Sequence, residues 1–493
     1  MPLNATRCRI TIIGAGLAGL ATAARLKSAG EADFVVLDRG SSVGGVWRAN
    51  RYPNAACDSP VELYSFTFHR KSNWSSNFAP WHEILDYANE LADCFDLHKH
   101  LNMGVEVVSA HWDEQLRVWR VGSADGRAWV SDFLIWVGGL FNQPLTPTFA
   151  HADQYSGKVM HTASWDDAFD LGGLDVAVVG AGASSIQVLP HAAAHAKQVY
   201  AFVRTPSHVL PKPEQLYSPQ DWRRFEAEPS LLAESRDTWF EHFENLARSR
   251  FPMNEAMIDK QETMWREFLE REVADPALRS LLTPAYRFGC RRPLVSNAYY
   301  RAIASSNVKV LGEGVADLYD KGVVTESGER IPVRAIVLAT GFKTSGMLGS
   351  LDIRGRQSVS LSESWAEAPH AYLGMLVHGF PNLFFIGGPN ATAASLSAIV
   401  EAQVDYIQAC LAMAQSTGRT VEVSAQAQRR FIDDIRQRGN ASVMVQGGCN
   451  SYYRTGGDGV VFTHWPGTCR SYQDAVRTVI ESDLINDNEG ADA

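Results

Sequence analysis

The stretch ITIIGAGLAGLATAARLKSAGEADFVVLD, Ile10 to Asp38, decides the fold. Ile10 to Ile13 is a short β-branched run suited to a buried strand. Leu17 to Ala29 carries helical apolar spacing and stops at Gly30, and Phe34 to Leu37 is a second buried strand closing on Asp38. The turn between strand and helix reads GAGLAG. There Gly14 allows the tight bend, Gly16 lets the backbone approach a pyrophosphate, Gly19 permits close helix packing, and the helix N-terminus favours phosphate charge. Asp38 is placed to accept from a ribose hydroxyl. Strand, turn, helix, strand and terminal acid together read as a nucleotide-binding βαβ unit.

A second unit follows the same plan. Asp175 to Val179 is a strand, GAGASS turns at Gly180 and Gly182 and runs through Ser184 and Ser185 into a helix to about Ala194, and Val199 to Val203 returns as a strand. Here the acid is missing. The strand ends in Arg204-Thr205, and a cation with a hydroxyl donor suits a 2′-phosphate, which favours NADPH over NADH. The other reading is a solvent-facing arginine at a strand end. Two nucleotide turns in one chain imply two nucleotides.

Composition sets the frame around them. A chain of 493 residues suggests two or three domains; 45% hydrophobic and 20% charged residues are globular values. The net charge of −10 argues against nucleic acid or an anionic membrane as partner and leaves a small molecule as the default. No stretch is long and apolar enough to span a bilayer. Arg7 and Arg9 before the apolar run from Ile10 superficially resemble a signal peptide, but the run holds the glycine turn. The seven cysteines are scattered, with no C-x-x-C, so neither a disulfide framework nor a zinc site is indicated and a cytoplasmic location fits.

Between Pro211 and Tyr286 the strand pattern vanishes. Trp222, Phe225, Trp239, Phe240, Phe243, Leu246, Met264, Trp265 and Phe268 recur at helical intervals among charges, reading as an amphipathic helical insertion that packs on the nucleotide domain or lines a substrate channel. Strands resume at Val308 to Leu311, Ile336 to Leu338 and Leu383 to Ile386, and the last dozen residues read as disordered. The fold class is α/β, with two Rossmann-like dinucleotide-binding domains and a helical insertion. The expected boundaries are 1–165 with 335–493 for the first nucleotide-binding domain, 166–212 with 286–334 for the second, and 213–285 for the insertion.

YSGKVMHTASW, carrying Tyr155, Gly157, His161 and Trp165 between the two turns, resembles the fingerprint of type I Baeyer-Villiger monooxygenases. Gly44-Gly45-Val46-Trp47, Tyr52-Pro53 and Asp58 are similar to the segment following the FAD strand in that family, and CDSP running to Leu63-Tyr64-Ser65-Phe66 continues it. FGCRRPLVSNAYY from Phe288, ATGF from Ala339, FPNLFFIGGPN from Phe380 and NSYY…WPG from Asn450 extend the match over nearly the whole chain. Tyr155 replaces the usual Phe, Asn54 replaces the usual Gly after the YP pair, and the chain is compact for the family.

The resemblance implies a ketone and O2 as substrates, an ester or lactone as product, and FAD and NADPH as cofactors, with reaction through a C4a-peroxyflavin in a monomer or small homo-oligomer. It maps FAD contacts onto Asp38, Arg39, Gly45, Val46, Trp47, Tyr52, Asp58 and Tyr64. It makes Arg292 the cation beside the peroxide, Asp58 the carboxylate that orients Arg292, and Arg291 a contact of the NADPH 2′-phosphate. Asp58 also reads as a turn residue before Ser59-Pro60. His161 and Trp165 read as linker tethers, with acid-base work by His161 the other reading; Trp465 reads as a cap on the nicotinamide or as a core residue. Rival functions are a nitrogen- or sulfur-oxygenating flavin monooxygenase, a pyridine-nucleotide disulfide reductase, and a flavin-binding sensor without turnover.

Overall fold

The computed structural model describes residues 5–344, 346–393 and 395–485. The expected acidic tail therefore falls mostly outside the described residues. Two sheets organise the chain. The first has eight strands, with Thr6–Ile13 at its centre, flanked in parallel by Phe34–Asp38 on one side and Ala128–Trp136 on the other. Ile10, Ile12, Val36 and Leu37 are fully enclosed, as strands covered on both faces require. The helix Leu17–Ser28 and the long helix Leu396–Thr417 cover one face. The antiparallel strands Val107–Asp113 and Val118–Ser123 extend one edge, and Leu383–Phe385 pairs with Ala128–Trp136.

The second sheet is wholly parallel, in the order Val308–Leu311, Gln198–Phe202, Asp175–Val179, Ala335–Leu338 and Lys158–His161. Lys158–His161 and Ala335–Leu338, which the expected boundaries group with the first glycine turn, hydrogen-bond within this second sheet, beside the strand of the second turn.

The insertion folds as the helices Pro219–Ala227, Ser230–Arg250, Glu255–Glu272 and Pro276–Leu281. Its aromatic stripe divides between the two cores: Trp265 and Phe268 pack into the NADPH-domain core, whereas Phe240 packs on the FAD-domain core. Two buried charges pin it to the FAD domain. Arg236 donates to the carbonyls of Glu62, Leu63 and Ser65 at 2.9–3.1 Å, satisfying the end of the short helix Val61–Tyr64, and faces Glu401 at 3.6 Å. Glu244, fully buried, accepts from the Cys469 amide at 2.6 Å at the start of the helix Cys469–Ala475.

Candidate active site

Both glycine turns lie at the carboxyl ends of parallel strands, where ligands of such sheets bind. At the first turn Gly14 has φ +117°, and a Cβ there would sit 2.5 Å from the Val137 carbonyl oxygen. A Cβ on Gly19 would lie 1.9 Å from the Gly14 oxygen, and one on Gly45 2.9 Å from the Gly16 Cα. No side chain caps the helix that begins after Gly16, so its first amides are left for a ligand. Asp38 accepts from the amides of Ala15 at 2.7 Å and Gly40 at 2.6 Å, so its carboxylate also braces the turn. Arg39 donates to the Asn142 carbonyl at 2.5 Å. Val46 opens the short helix Val46–Ala49, and Trp47 Nε1 donates to the buried Tyr64 hydroxyl at 2.9 Å. A Gly-only cradle beneath an uncapped helix fits a dinucleotide such as FAD.

At the second turn Gly180 has φ +128° and its Cβ would meet the Ala339 oxygen at 2.3 Å, whereas Gly182 faces open space. The helix Ala183–His195 is likewise uncapped, and Ser185 Oγ donates back to the Gly180 carbonyl at 2.7 Å. Arg204 is largely exposed, 3.7 Å from Glu326, and Thr205 follows it partly buried. Arg291 lies over the Tyr286 ring at 5.4 Å, and the Tyr286 hydroxyl donates to the Pro206 carbonyl at 3.0 Å. Arg291 and the Arg204-Thr205 segment therefore flank one loop.

Arg292 and Asp58, 234 residues apart, meet at 2.5 Å. The Asp58 charge raises the Arg292 pKa above the ordinary arginine range, so the guanidinium stays protonated. Burial, with the Asp58 charge second, pushes the Cys57 thiol up to about 12 and keeps it neutral. The loop bearing Asp58 is locked to the NADPH-domain helix by Gln187. Its side chain accepts from the Tyr52 hydroxyl at 2.8 Å and donates to the Ala56 carbonyl at 3.0 Å. The Tyr52 hydroxyl also bonds Ser184, so Tyr52 is an interdomain tie. Asn54, in place of the usual glycine, adopts φ +63°, a conformation asparagine tolerates.

The linker residues serve the second sheet. Tyr155 donates through its hydroxyl to the Val333 carbonyl at 3.0 Å, and a Cβ at Gly157 would strike that hydroxyl and the Arg334 oxygen. His161 is buried, accepts from the Ala163 amide at 3.0 Å, and burial lowers its pKa. Trp165 is buried in the NADPH-domain core. Trp465 lies in the FAD-domain core, 5% exposed, donating to Ser471 at 2.8 Å beneath the Arg438 guanidinium.

Comparison with known proteins agrees with this geometry. Residues 11–230 match the family model described as pyridine nucleotide-disulphide oxidoreductase, a span that holds both turns. The chain is 33% identical over 472 residues to a Baeyer-Villiger monooxygenase of Pseudomonas aeruginosa, covering 94% of this chain and 89% of that protein. The chain belongs to the type I Baeyer-Villiger monooxygenases. It superposes on an oxidized steroid monooxygenase bound to NADP with a TM-score of 0.87 at 29% identity, over 97% of this chain and 98% of that one. It also superposes on ε-caprolactone-bound cyclohexanone monooxygenase with a TM-score of 0.84 at 25% identity, over 96% and 97%.

Within this monooxygenase, several groups around Arg292 escaped the sequence reading. Cys290 and Cys449, 159 residues apart, form a disulfide, which corrects the expectation of none. It ties the Arg291-Arg292 segment to the loop where Asn450 accepts from Arg291 Nε at 2.7 Å. His464 meets the Tyr453 ring edge-on at 4.3 Å, and its pKa falls to about 3 through burial and the nearby charges of Arg250 and Arg292. Gln187 and Arg250 gave no motif signal, because a polar residue in a helix reads the same whether it faces solvent or a partner domain.

Proposed function

We propose that this monooxygenase inserts one atom of O2 beside a ketone carbonyl, using NADPH and a proton and giving an ester or lactone, NADP⁺ and water. Bound FAD, reduced by NADPH, supplies the oxygen-activating chemistry. The first glycine turn, with Asp38, holds the FAD phosphates and ribose, and the second turn, with Arg204, Thr205 and Arg291, holds NADPH. Arg292 donates to the ketone oxygen as its carbon becomes tetrahedral and that oxygen gathers negative charge, an effect worth about 3 kcal/mol for one such donor. Asp58 positions Arg292, and the Tyr52–Gln187 tie keeps the Asp58 loop in register with the NADPH domain.

The observation that carries this reading is the 2.5 Å contact between Arg292 and Asp58, which holds a permanent cation against the loop that Gln187 ties to the helix of the second glycine turn. A cation suits a nucleophilic, anionic oxidant; nitrogen or sulfur oxygenation needs an electrophilic one. The test supplies a cyclic ketone, NADPH and ¹⁸O-labelled O2 to the purified flavoprotein. One label in the ring of the lactone supports the reading, and NADPH consumed with hydrogen peroxide as the only product for every ketone tried would count against it.

A further inference from the structure

Arg250, the last residue of the helix Ser230–Arg250, is the group the mechanism leaves unused. Its Nε is buried without a hydrogen-bond partner, and among the described residues its guanidinium forms no hydrogen bond or ion pair. The titratable groups that act on it are the Arg292 guanidinium and the phenols of Tyr453 and Tyr452, with no carboxylate among them. Asp58, the carboxylate of this region, is taken by Arg292. His464, near both arginines, stays neutral. Two guanidiniums against one carboxylate leave an unbalanced, partly buried positive charge in a chain whose net charge is −10. A buried charge with no counter-charge is costly, so such a site is completed by an anion.

The surroundings say what kind of anion. Gly289 packs on Arg250, where a Cβ would lie 3.2 Å from its Nε, so the absent side chain leaves room for the guanidinium beside the Arg291-Arg292 segment. The neighbouring wall is aromatic. Tyr453 meets Tyr452 edge-on at 4.4 Å, Tyr452 meets Phe141 at 5.9 Å, and Phe141 meets Phe342 at 5.6 Å, with Tyr452 and Phe141 partly exposed. On the reading above, the cofactor phosphates go to the two uncapped helix N-termini and to Arg204 and Arg291.

We propose that Arg250 is a specificity-determining residue that binds a carboxylate on the substrate, making this an oxygenase of apolar ketones that carry an acid group. The proposal rests on the ketone-oxygenating reading above. Arg292 meets the ketone oxygen while Arg250 holds the acid, and the aromatic wall takes the apolar skeleton between them. Arginine suits the second task because its fork matches a carboxylate with two parallel hydrogen bonds.

The test uses the FAD-loaded, NADP⁺-bound enzyme and two probe pairs, 3-oxocyclohexanecarboxylate with its methyl ester for turnover and cyclohexanecarboxylate with its methyl ester for calorimetric binding. The native enzyme should prefer each acid over its ester by roughly tenfold to a hundredfold in kcat/KM or affinity, the scale of one charge-assisted contact. Arg250→Gln should erase that ratio, and Arg250→Lys should restore part of it. If Arg250→Gln sheds FAD, the Lys variant and the native enzyme in high salt report instead, since salt should weaken acid binding and spare the ester. A ratio unchanged in Arg250→Gln, or no preference in the native enzyme, overturns the proposal. So does a loss confined to NADPH affinity, which would make Arg250 a cofactor-phosphate contact. Intact acid binding with no oxygenated product from either ketone would instead count against the oxygenase reading.

Discussion

Arg292 and Asp58 were legible as a pair only through the family resemblance, because nothing in local spacing joins residues 234 apart. The glycines were legible from physics. Positive φ at Gly14 and Gly180, with a carbonyl where each Cβ would be, is the constraint the turn motifs encode. Trp465 shows the limit. A tryptophan beside Pro-Gly suits a cap on the nicotinamide or a core residue, and spacing alone does not tell that this one is buried beneath Arg438. Arg204 carries a prediction at this scale. Its weak contact with Glu326 leaves it available to a 2′-phosphate, so Arg204→Ala should raise KM for NADPH about tenfold or more and leave KM for NADH nearly unchanged. Steady-state kinetics with both nucleotides checks this; equal rises would sink the assignment.

The elements divide the same way. The helices Leu17–Ser28 and Ala183–His195 were found within a residue or two, because 3.6-residue periodicity and capping glycines are local signals. The antiparallel strands Val107–Asp113, Val118–Ser123 and Ala128–Trp136 went unassigned, and nothing in the sequence marked Lys158–His161 and Ala335–Leu338 as partners of the second sheet. A short apolar run buried on both faces carries no mark of its partner strand; pairing is a tertiary outcome. The insertion helices were legible as helices, but their anchors were not. Arg236 satisfies three carbonyls inside the FAD domain, so Arg236→Ala strands those acceptors and Glu401 together. It should cost about 3 kcal/mol and lower the melting midpoint of the holoprotein by several degrees. An unchanged midpoint would mean that the insertion is held by its apolar contacts alone.

At the scale of the molecule, the Arg292–Asp58 pair joins the two cores: Cys57, next to Asp58, lies in one, and Cys290, two residues before Arg292 and bonded to Cys449, lies in the other. Among the described residues no helix is long and apolar enough to cross a membrane. Burial also sets a pH dependence. His464 and His208 are pushed from 6.5 to about 3 and about 4, mainly by desolvation, and His161 and His370 are lowered in the same way. Below about pH 6.5 the unfolded chain takes up protons that the folded one refuses, so these groups add stability above that pH. That stability drains away as the pH falls towards about 4. Melting midpoints from pH 8 to pH 4.5 should therefore fall, and His464→Gln should flatten part of the slope if it folds. A midpoint that rises on acidification would reverse the sign of the argument.

The most direct measurement compares native enzyme with Arg292→Ala in two readings, the rate at which NADPH bleaches the flavin without oxygen and the ester formed per NADPH consumed in air. The account predicts that the variant still bleaches and forms no detectable ester, releasing hydrogen peroxide instead. Ester formed by Arg292→Ala at a yield near that of the native enzyme would contradict the assignment of Arg292 as the cation on which oxygen insertion depends.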